Sequence, residues 1–410
     1  MQTVLRPLLA LALASTALGV AAQQPARPCP PLDTRPANAP EQKPAFAGQT
    51  RACAAASNVA FEVAVLSASL SYPWAVEPLP DGDLLVTERP GRMRIVTRDG
   101  RTLDPIAGLP AVDARGQGGL LDVVLSPRFA SDRRIWWSYA EPREGGNATS
   151  VASGRLSADR TRLEDVRVVF RAQPTYDGDK HFGSRLAFGP DGLLYVTLGE
   201  RSDRVMRPQA QDLSSHMGKV LRIAPDGGVP PDNPFVGRAG ARPEIWSLGQ
   251  RNVQAAAFDP SGQLWIVEMG TRGGDELNRI EKGRNYGWPV AAYGIEYAGG
   301  RIGEGRTEQA GTEQPVYYWD PVIAPSGAEW YTGDLFPAWK GNLFVGALRD
   351  RALVRLVLGG QGRDARVVGE ERLLVERGKR VRDVRQGPDG ALYVVTDERG
   401  GELLRIAPRP

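Results

Sequence analysis

The sequence predicts an all-β protein, a six-bladed β-propeller of four-stranded antiparallel blades. A turn-and-strand phrase recurs along the chain, a second short strand follows several of its copies, and no stretch has the pattern of an amphipathic helix. Short strands repeated at intervals of roughly 45 to 75 residues are typical of propeller blades. A β-sandwich would need far fewer strands, and a parallel α/β fold would need helices between them.

The recurring phrase is a turn of the Pro-Asp-Gly type followed by a short apolar strand with a polar or acidic end. Proline fixes φ, aspartate caps the turn and glycine accepts a positive φ, so each phrase predicts a hairpin corner. The clear copies have their turns at Pro80-Asp81-Gly82, Pro190-Asp191-Gly192, Pro260-Ser261-Gly262 and Pro388-Asp389-Gly390. Weaker copies begin at Ser126-Pro127 and at Trp339-Lys340-Gly341. Together they predict six blades.

A second strand follows several copies and is expected to be the outer strand of its unit. Its versions are Met93-Arg-Ile-Val96, Val220-Leu-Arg-Ile223, Leu277-Asn-Arg-Ile280, Leu353-Val-Arg-Leu356 and Leu403-Leu-Arg-Ile406. The uneven spacing predicts long insertions, the largest between the third and fifth blades. Because the loops of all blades converge at one axial face, residues far apart in sequence become neighbours there.

The first 22 residues have the layout of a secretory signal peptide. Arg6 precedes an apolar stretch, and Val20-Ala21-Ala22 supplies the small residues for cleavage after Ala22. The stretch is too short to span a membrane, and nothing later is apolar over the roughly 18 residues that a span needs. The sequence therefore predicts a periplasmic or secreted protein.

Residues 23–57 are rich in Pro, Ala and Gln and predict an extended or loosely ordered arm ahead of the propeller domain, residues 58–410. Both cysteines, Cys29 and Cys53, lie in this arm. In an oxidising compartment they can form a disulfide worth roughly 3 to 4 kcal/mol by loop entropy, with two unpaired thiols as the alternative.

The charge of the chain is nearly balanced, with 51 basic and 48 acidic residues. Removal of the leader takes away only Arg6 from the basic set. This balance argues against nucleic acid as a dedicated partner.

Only two residues of 410 are histidine, so candidates for a proton-transferring base are few. His181 precedes a predicted strand that runs into Glu200. An out-and-back path between them suits a hairpin, so Glu200 can accept a hydrogen bond from the imidazole and raise its basicity. The alternatives are a structural histidine and a solvated strand end. For His216 the sequence suggests no partner.

A glycine-rich loop and scattered arginines complete the candidate site. Gly270, Gly273 and Gly274 free the backbone to turn carbonyls toward a cation, and Asp275 and Glu276 supply hard oxygen ligands that suit calcium. An ordinary glycine-rich loop is the alternative. The arginines Arg251, Arg349, Arg380 and Arg382 would form a pocket for a small polyanion if the propeller gathered them at its axial end.

Several motifs occur together in a fixed order over about residues 65–408. They are Gln117-Gly-Gly-Leu-Leu121, His181-Phe-Gly-Ser-Arg-Leu186, Arg251-Asn252, Asn285-Tyr-Gly-Trp-Pro289 and Arg380-Val-Arg-Asp383. In this set the chain resembles the soluble sugar dehydrogenases that depend on pyrroloquinoline quinone (PQQ), specifically the aldose sugar dehydrogenase branch of the soluble glucose dehydrogenase family.

The resemblance implies oxidation of aldoses at the anomeric carbon to lactones, by hydride transfer to calcium-bound PQQ. It implies that His181 is the general base and Glu200 its acidic partner, with Arg251 also at the reacting centre. The residues implied to bind PQQ are Gln117, Arg251, Asn252, Tyr297, Arg349, Arg380 and Arg382. The residues implied to bind metal are Gly270 and Thr271, through carbonyls at the catalytic Ca²⁺, and Glu276 and Tyr286 at a second, structural Ca²⁺.

The chain departs from the family pattern at three places. Ser184 stands where a second glycine is usual, and Arg349 stands where lysine is typical. Around Asp320-Pro321-Val322 the stacking residues match poorly, with Trp319 one place from an expected aromatic. These departures bear mainly on substrate preference.

The expected partners are a small aldose and an external electron acceptor (a quinone, a cytochrome or a dye), with the protein a monomer. One alternative function is a calcium-dependent lactone hydrolase, which would hold its metal with side-chain carboxylates and would need no arginine cluster. Another is a non-catalytic binding propeller, in which His181, Glu200 and Arg251 would have no reason to converge. Fold alone excludes neither.

Overall fold

The computed structural model describes residues 29–409, so the predicted signal peptide lies outside the described residues. In this part of the chain, six antiparallel sheets surround a common axis, and the predicted six-bladed propeller is confirmed. The first strand of each blade packs against the first strands of its neighbours, which places these six strands nearest the axis.

The strands follow the chain blade by blade. Strand β1 is Phe61–Ser71; blade 1 has β2 (Pro73–Pro78), β3 (Leu84–Glu88) and β4 (Arg92–Val96); blade 2 has β5 (Leu120–Leu125), β6 (Arg134–Arg143), β7 (Gly146–Leu156) and β8 (Leu163–Arg171); blade 3 has β9 (Leu186–Phe188), β10 (Leu194–Thr197), β11 (Lys219–Ile223) and β12 (Ile245–Leu248). Blade 4 has β13 (Val253–Phe258), β14 (Leu264–Glu268), β15 (Asp275–Arg279) and β16 (Tyr317–Trp319); blade 5 has β17 (Pro325–Trp330), β18 (Leu343–Ala347), β19 (Ala352–Gly359) and β20 (Arg366–Leu373); blade 6 has β21 (Val381–Gln386), β22 (Leu392–Thr396) and β23 (Arg399–Pro408). Helical turns are short, at Phe129–Asp132, Arg207–Ala210, Pro337–Trp339, Gly362–Asp364 and Val375–Arg377.

The six recurring phrases each form a hairpin corner, as predicted, and each leads into the second strand of a blade. The four clear turns end on glycines with φ of 90°, 75°, 84° and 78°, which explains the residue type at these corners. The echo strands were expected outermost, and this is wrong for blades 3 to 6, where they are third strands with a fourth outside them. Only in blade 1, which has three strands, is the echo strand β4 at the edge.

The ring is closed by strand β1, which pairs antiparallel with β23 from Phe61↔Pro408 to Ser71↔Arg399. Blade 6 therefore takes its outer strand from the start of the propeller domain and its other strands from the end. Apolar side chains fill the space between blades, for example Trp137 between blades 1 and 2 and Trp339 between blades 5 and 6.

The N-terminal arm, residues 29–57, contains no named strand but packs across blades 4 and 5. Cys29 and Cys53 form the predicted disulfide, with a Cα–Cα distance of 5.5 Å. The Glu370 amide donates to the Cys53 carbonyl at 2.8 Å, and the Tyr318 amide donates to the Gln49 carbonyl at 2.8 Å. The arm is thus tied to the outer strands of both blades.

Four buried charged side chains, named here the axial ion group, meet on the propeller axis: Arg185, Arg385, Asp122 and Asp383. Arg185 lies 2.8 Å from Asp122 and 3.2 Å from Asp383, and Arg385 lies 3.0 Å from Asp383. The two carboxylates also accept backbone hydrogen bonds from Leu186 and Val76. The group thus contains two arginines and two aspartates, and Glu77 lies next to it, 3.6 Å from Arg385.

Candidate active site

His181 is held in a strained loop just before strand β9. Its φ is 49°, and Gly183 and Ser184 follow with φ of 65° and 90°. The His181 amide donates to Gln117 Oε1 at 2.9 Å, which ties blade 2 to this loop. Close approach explains Gly183, because a Cβ there would lie 2.6 Å from the Gly199 nitrogen. Non-glycine residues with positive φ cluster at functional sites.

The His181 imidazole is paired with the Glu200 carboxylate inside the protein. Nδ1 lies 2.6 Å from Glu200 Oε2, and both side chains are almost fully buried. With Glu200 ionised, Nδ1 carries the hydrogen and donates it, so Nε2 is the basic nitrogen. Nε2 has no hydrogen-bond partner among residues 29–409.

The pKa of His181 is lowered by burial, while Glu200 acts in the opposite direction and Arg251 lowers it further. Burial would raise the pKa of Glu200, but His181 and Arg251 hold it below its ordinary value. The pair is therefore a neutral imidazole beside a carboxylate at neutral pH, the state that can accept a proton.

Arg251 and Asn252 lead into strand β13 and face the same region. The Arg251 carbonyl accepts from the Glu200 amide at 3.0 Å, and Asn252 Oδ1 accepts from the Gly183 amide at 3.2 Å. The Arg251 guanidinium donates to the Met269 carbonyl at 2.7 Å and to the Gly270 carbonyl, and it lies over the Trp288 ring. One dipeptide thus fixes both the histidine loop and the glycine-rich loop.

A cavity of about 330 Å³ opens beside this loop at the axial end of the propeller. Its size is within the usual range for small-ligand sites. Predicted residues in its lining are Gln117, Asn252, Arg380 and Arg382. The sequence did not single out Trp74, Arg89, Gln254, Met269 or Asp397, which also line it.

Three arginines and one aspartate, named here the cavity charge group, form one side of this cavity: Arg89, Arg380, Arg382 and Asp397. Asp397 Oδ2 lies 2.7 Å from Arg382 and 3.1 Å from Arg380. Burial opposes ionisation of Asp397, but Arg382 and Arg380 lower its pKa to about 2. Among the described residues, Arg89 Nε, Arg382 Nε and Asp397 Oδ1 are buried without partners.

The glycine-rich loop after β14 differs from expectation at Asp275. This side chain was expected to offer ligand oxygens, but Oδ1 accepts from the Gly270 amide at 2.7 Å, and Oδ2 accepts from the Ile323 and Ala324 amides, each at 2.8 Å. Asp275 therefore shapes the loop. The Gly270 carbonyl accepts only from the Arg251 guanidinium in the described chain, so this loop already turns a carbonyl toward a cationic group.

A second group of oxygens lies behind that loop. Glu276 is paired across the hairpin with Glu268, and the Asn278 amide donates to both carboxylates, at 3.1 and 3.0 Å. Burial raises the pKa of Glu268 to about 7, and burial together with Glu268 raises the pKa of Glu276 well above its ordinary value. Both side chains and Tyr286 line a cavity of about 10 Å³, room for one atom the size of a water. Glu268 was not predicted; its register opposite Glu276 was the available signal.

Three predicted cofactor residues, Arg251, Tyr297 and Arg349, are not part of the lining of the cavity of about 330 Å³, and neither is His181, whose neighbours Phe182 and Gly183 are. Tyr297 is 60% exposed, with its hydroxyl 3.3 Å from Arg251 Nη2, and Arg349 is exposed in the turn after β18. His216 is a structural histidine, since it accepts from the Gln173 amide at 3.0 Å and contacts Glu244 and Phe170. Within residues 29–409, no group of three or more His, Cys, Asp or Glu side chains is placed to hold a metal ion.

A family model described as glucose/sorbosone dehydrogenase matches residues 70–405 of the chain. The chain belongs to this family. It is 48% identical over 351 residues to the aldose sugar dehydrogenase of Escherichia coli strain K12, covering 85% of this chain and 93% of that protein. The predicted family resemblance is confirmed, and so is the prediction of a dehydrogenase.

Solved structures of the glucose/sorbosone dehydrogenase family agree with this assignment. The apo-form of the soluble aldose sugar dehydrogenase from E. coli superposes with a TM-score of 0.80 at 47% identity, covering 85% of this chain and 100% of that chain. The PQQ-bound aldose sugar dehydrogenase from Streptomyces coelicolor gives a TM-score of 0.68 at 31% identity, covering 86% and 100%. Membership of the family supports sugar oxidation as the reaction.

One further observation bears on where this dehydrogenase works. The Cys29–Cys53 disulfide indicates an oxidising compartment. Across residues 29–409 there is no helix with the length and apolarity needed to span a membrane.

Proposed function

We propose that the protein is an exported PQQ- and calcium-dependent dehydrogenase that oxidises aldoses at the anomeric carbon to lactones. The observation that carries the proposal is a buried, neutral His181 paired with Glu200 beside a cavity with surplus positive charge. The residues Gln117, Asn252, Arg380 and Arg382 share that cavity, as the family resemblance requires.

The cavity charge group fits a cofactor with several carboxylates. It has three arginines and one carboxylate, and its unpartnered atoms Arg89 Nε and Arg382 Nε can donate further hydrogen bonds. Arginine binds carboxylates through charge-assisted hydrogen bonds, often in pairs. Arg89, Arg380 and Arg382 would therefore hold the carboxylates of PQQ. Arg349 and Tyr297 lie outside the lining and would contribute only at its rim.

The oxygen donors fit calcium at both proposed positions. The Gly270 carbonyl is aligned with a cationic guanidinium, and it and the Thr271 carbonyl are hard donors of the kind that calcium prefers. At the second position, Glu268 and Glu276 repel each other as anions unless a cation lies between them, and the small cavity beside Tyr286 has room for one.

PQQ, when bound with calcium, supplies a carbonyl group activated to accept the hydride. The chain supplies the base and the orientation. His181 Nε2 would accept the proton of the anomeric hydroxyl, and Glu200 would stabilise the imidazolium that forms, as a carboxylate does when it fixes the other ring nitrogen. Arg251, held by Glu268 and the Met269 carbonyl, places a positive charge near the reacting centre.

The rival hydrolase is less well supported by the cavity. A lactone hydrolase would hold its central metal with side-chain carboxylates, but Asp397 is the one carboxylate in the described lining, and two arginines occupy it. A binding propeller would not need an imidazole kept neutral beside an ionised carboxylate. Export to the periplasm, a monomeric state and an external electron acceptor remain part of the proposal.

Reconstitution tests the proposal directly. Metal-free apoprotein is loaded with PQQ and calcium, and dye reduction is followed with a panel of aldoses. Sugar-dependent reduction that requires both additions is expected. Good PQQ binding without any sugar-dependent reduction would overturn the dehydrogenase assignment.

The role of His181 has its own test. His181→Ala should lower kcat by about 10²- to 10⁴-fold, the usual contribution of a positioned base, while PQQ binding stays within a few-fold of the parent. His216→Ala is the matched control, because it removes the other histidine at a distance from the cavity. Equal turnover in the two variants would remove the base assignment.

A further inference from the structure

The N-terminal arm lies outside the family match at residues 70–405, but its contacts converge behind the loop that carries Gly270 and Thr271. That loop is supported from outside by two other segments of blade 4. One is residues 293–295, whose Ile295 exchanges backbone hydrogen bonds with Arg272, at 3.0 and 3.2 Å. The other is the turn after β16, where the Trp319 carbonyl accepts from the Gly274 amide at 2.9 Å.

The arm binds the first of these segments through Gln42. Gln42 Oε1 accepts from the Gly294 amide at 2.7 Å, and Gln42 Nε2 donates to the Gly294 carbonyl at 3.1 Å. Gly294 touches the loop itself, because a Cβ there would lie 2.2 Å from the Gly273 carbonyl oxygen. Displacement of Gly294 would therefore move the loop.

The arm binds the second segment through Asp320. The Asp320 carboxylate accepts from the Asn38 amide at 2.8 Å, the Asn38 side chain at 3.0 Å and the Ala39 amide at 3.0 Å. A Cβ on Gly273 would lie 2.8 Å from this carboxylate. The arm therefore supports the glycine-rich loop from two sides, through Gly294 and through Asp320.

The arm is itself anchored at several points. Arg51 donates to the Asp320 carbonyl at 2.8 Å and to the carbonyls of Asp33 and Arg35 at 2.8 and 2.9 Å. Arg35 pairs with Asp350 of blade 5 at 2.7 Å, and the disulfide closes the arm into a loop. Because the arm is fixed at these points, it can hold Gly294 and Asp320 in place.

We propose that the arm is a brace that positions the Gly270 and Thr271 carbonyls for the cation, with Gln42 and Asn38 as positioning residues. This inference rests on the calcium part of the proposed function. It assigns a task to a segment that the family match does not include.

The test uses the full-length protein and the variant Gln42→Ala, which removes both hydrogen bonds to Gly294. Calcium chloride is titrated into calcium-free protein that has been loaded with PQQ, and the absorbance of PQQ is recorded. The calcium Kd should rise about tenfold, while the KM for the aldose at saturating calcium should change less than twofold. Gln361→Ala is the matched control, an exposed glutamine on blade 5.

Hydrogen exchange in cation-free protein gives a second reading that needs no activity. The Gly274 and Ile295 amides should exchange about tenfold faster in Gln42→Ala and in the Cys29→Ser/Cys53→Ser double variant than in the parent or in Gln361→Ala. Unchanged calcium Kd together with unchanged exchange would overturn the brace. If the parent binds no calcium, the proposed function fails at that point, and the exchange rates still decide whether the arm holds the loop.

Discussion

Two groups of arginines and aspartates lie near the propeller axis, one fully buried and one at the cavity wall, and they differ in charge balance. The axial ion group has two arginines and two aspartates, and each of its carboxylates has arginine and backbone partners, although Arg185 Nη2 is buried without a hydrogen-bond partner in the described chain. The cavity charge group has three arginines for one aspartate and contains buried atoms without partners in the described chain. Trp74 borders both groups, since it lines the cavity and its ring lies 4.3 Å from the Arg185 guanidinium.

The difference shows what each group is for. Buried charges are tolerated when they are paired and hydrogen-bonded, and they are costly otherwise. A balanced group can hold six blades together without any ligand. We propose that the group with surplus positive charge is completed by an anion from outside, as PQQ would do.

The largest effect on stability is expected in the axial ion group. Asp383→Asn leaves Arg185 with Asp122 alone, and it leaves Arg385 with the longer contacts to Asp122 and Glu77, at 3.8 and 3.6 Å. The free energy of unfolding should therefore fall by about 3 to 5 kcal/mol. Urea unfolding monitored by tryptophan fluorescence measures it. Asp104→Asn, at an exposed aspartate, is the control and should change stability by less than about 0.5 kcal/mol. A small loss at Asp383 would mean that the balance of this group does not stabilise the ring.

The opposite pattern is expected in the cavity charge group. Arg382→Gln removes a surplus buried cation, so stability should change by less than about 1 kcal/mol. PQQ affinity should fall by about 100-fold, or about 2.7 kcal/mol, because a charge-assisted contact to a carboxylate is lost. Isothermal titration with PQQ measures the affinity, with Arg409→Gln on the exposed C-terminal segment as control. A large loss of stability with unchanged PQQ affinity would show that Arg382 stabilises the fold and does not bind the cofactor.

Glu200 Oε1 is buried without a hydrogen-bond partner in the described chain, so Glu200 tests whether such an atom near the cavity marks function. Glu200 raises the pKa of His181, which burial lowers below 6.5. Activity of the parent should rise with pH through the His181 pKa and level off above about 6.5. In Glu200→Gln this rise should move to lower pH, and kcat/KM at pH 7 should fall by about tenfold. Steady-state rates measured from pH 4.5 to 8 check this prediction. If activity rises at the same pH in Glu200→Gln and in the parent, Glu200 does not tune the pKa of His181.

The smallest effect is expected in the loop that joins the two groups, at Ser184. Ser184 has φ of 90° where glycine is usual in the family, and Arg185 of the axial ion group follows it. Ser184→Gly relieves this strain but loses the hydroxyl contact to the Phe182 carbonyl, so a gain of about 0.5 kcal/mol is expected. Urea unfolding checks it. A loss of stability would show that the hydroxyl contact outweighs the strain.

The sequence predicts most where the determinants are local. The turns at Pro80–Gly82 and Pro388–Gly390 define their hairpins within a few residues, so blade number followed from them. His181 and Glu200 flank one short hairpin, formed by β9 and β10, and were found in the same way. The motif resemblance supplied Arg380 and Arg382, which both line the cavity.

The sequence predicts less where distant segments meet. Strand β1 pairs with β23, and ring closure brings Arg89 into the same cavity lining as Asp397, so neither arrangement leaves a local pattern in the sequence. The arm was expected to be loosely ordered because its Pro-rich composition lacks periodicity. Its order comes from Asp320 and Gly294, more than 250 residues away along the chain.

Closure of blade 6 by strand β1 also makes the cofactor cavity a late product of synthesis. Arg89 belongs to the first blade, whereas Arg380, Arg382 and Asp397 belong to the last, and the two come together only when the final strands pair with β1. A chain that stops short of β23 has neither a closed ring nor this wall of the cavity. Uptake of PQQ should therefore report ring closure, because this wall of the cavity needs the first and last blades together.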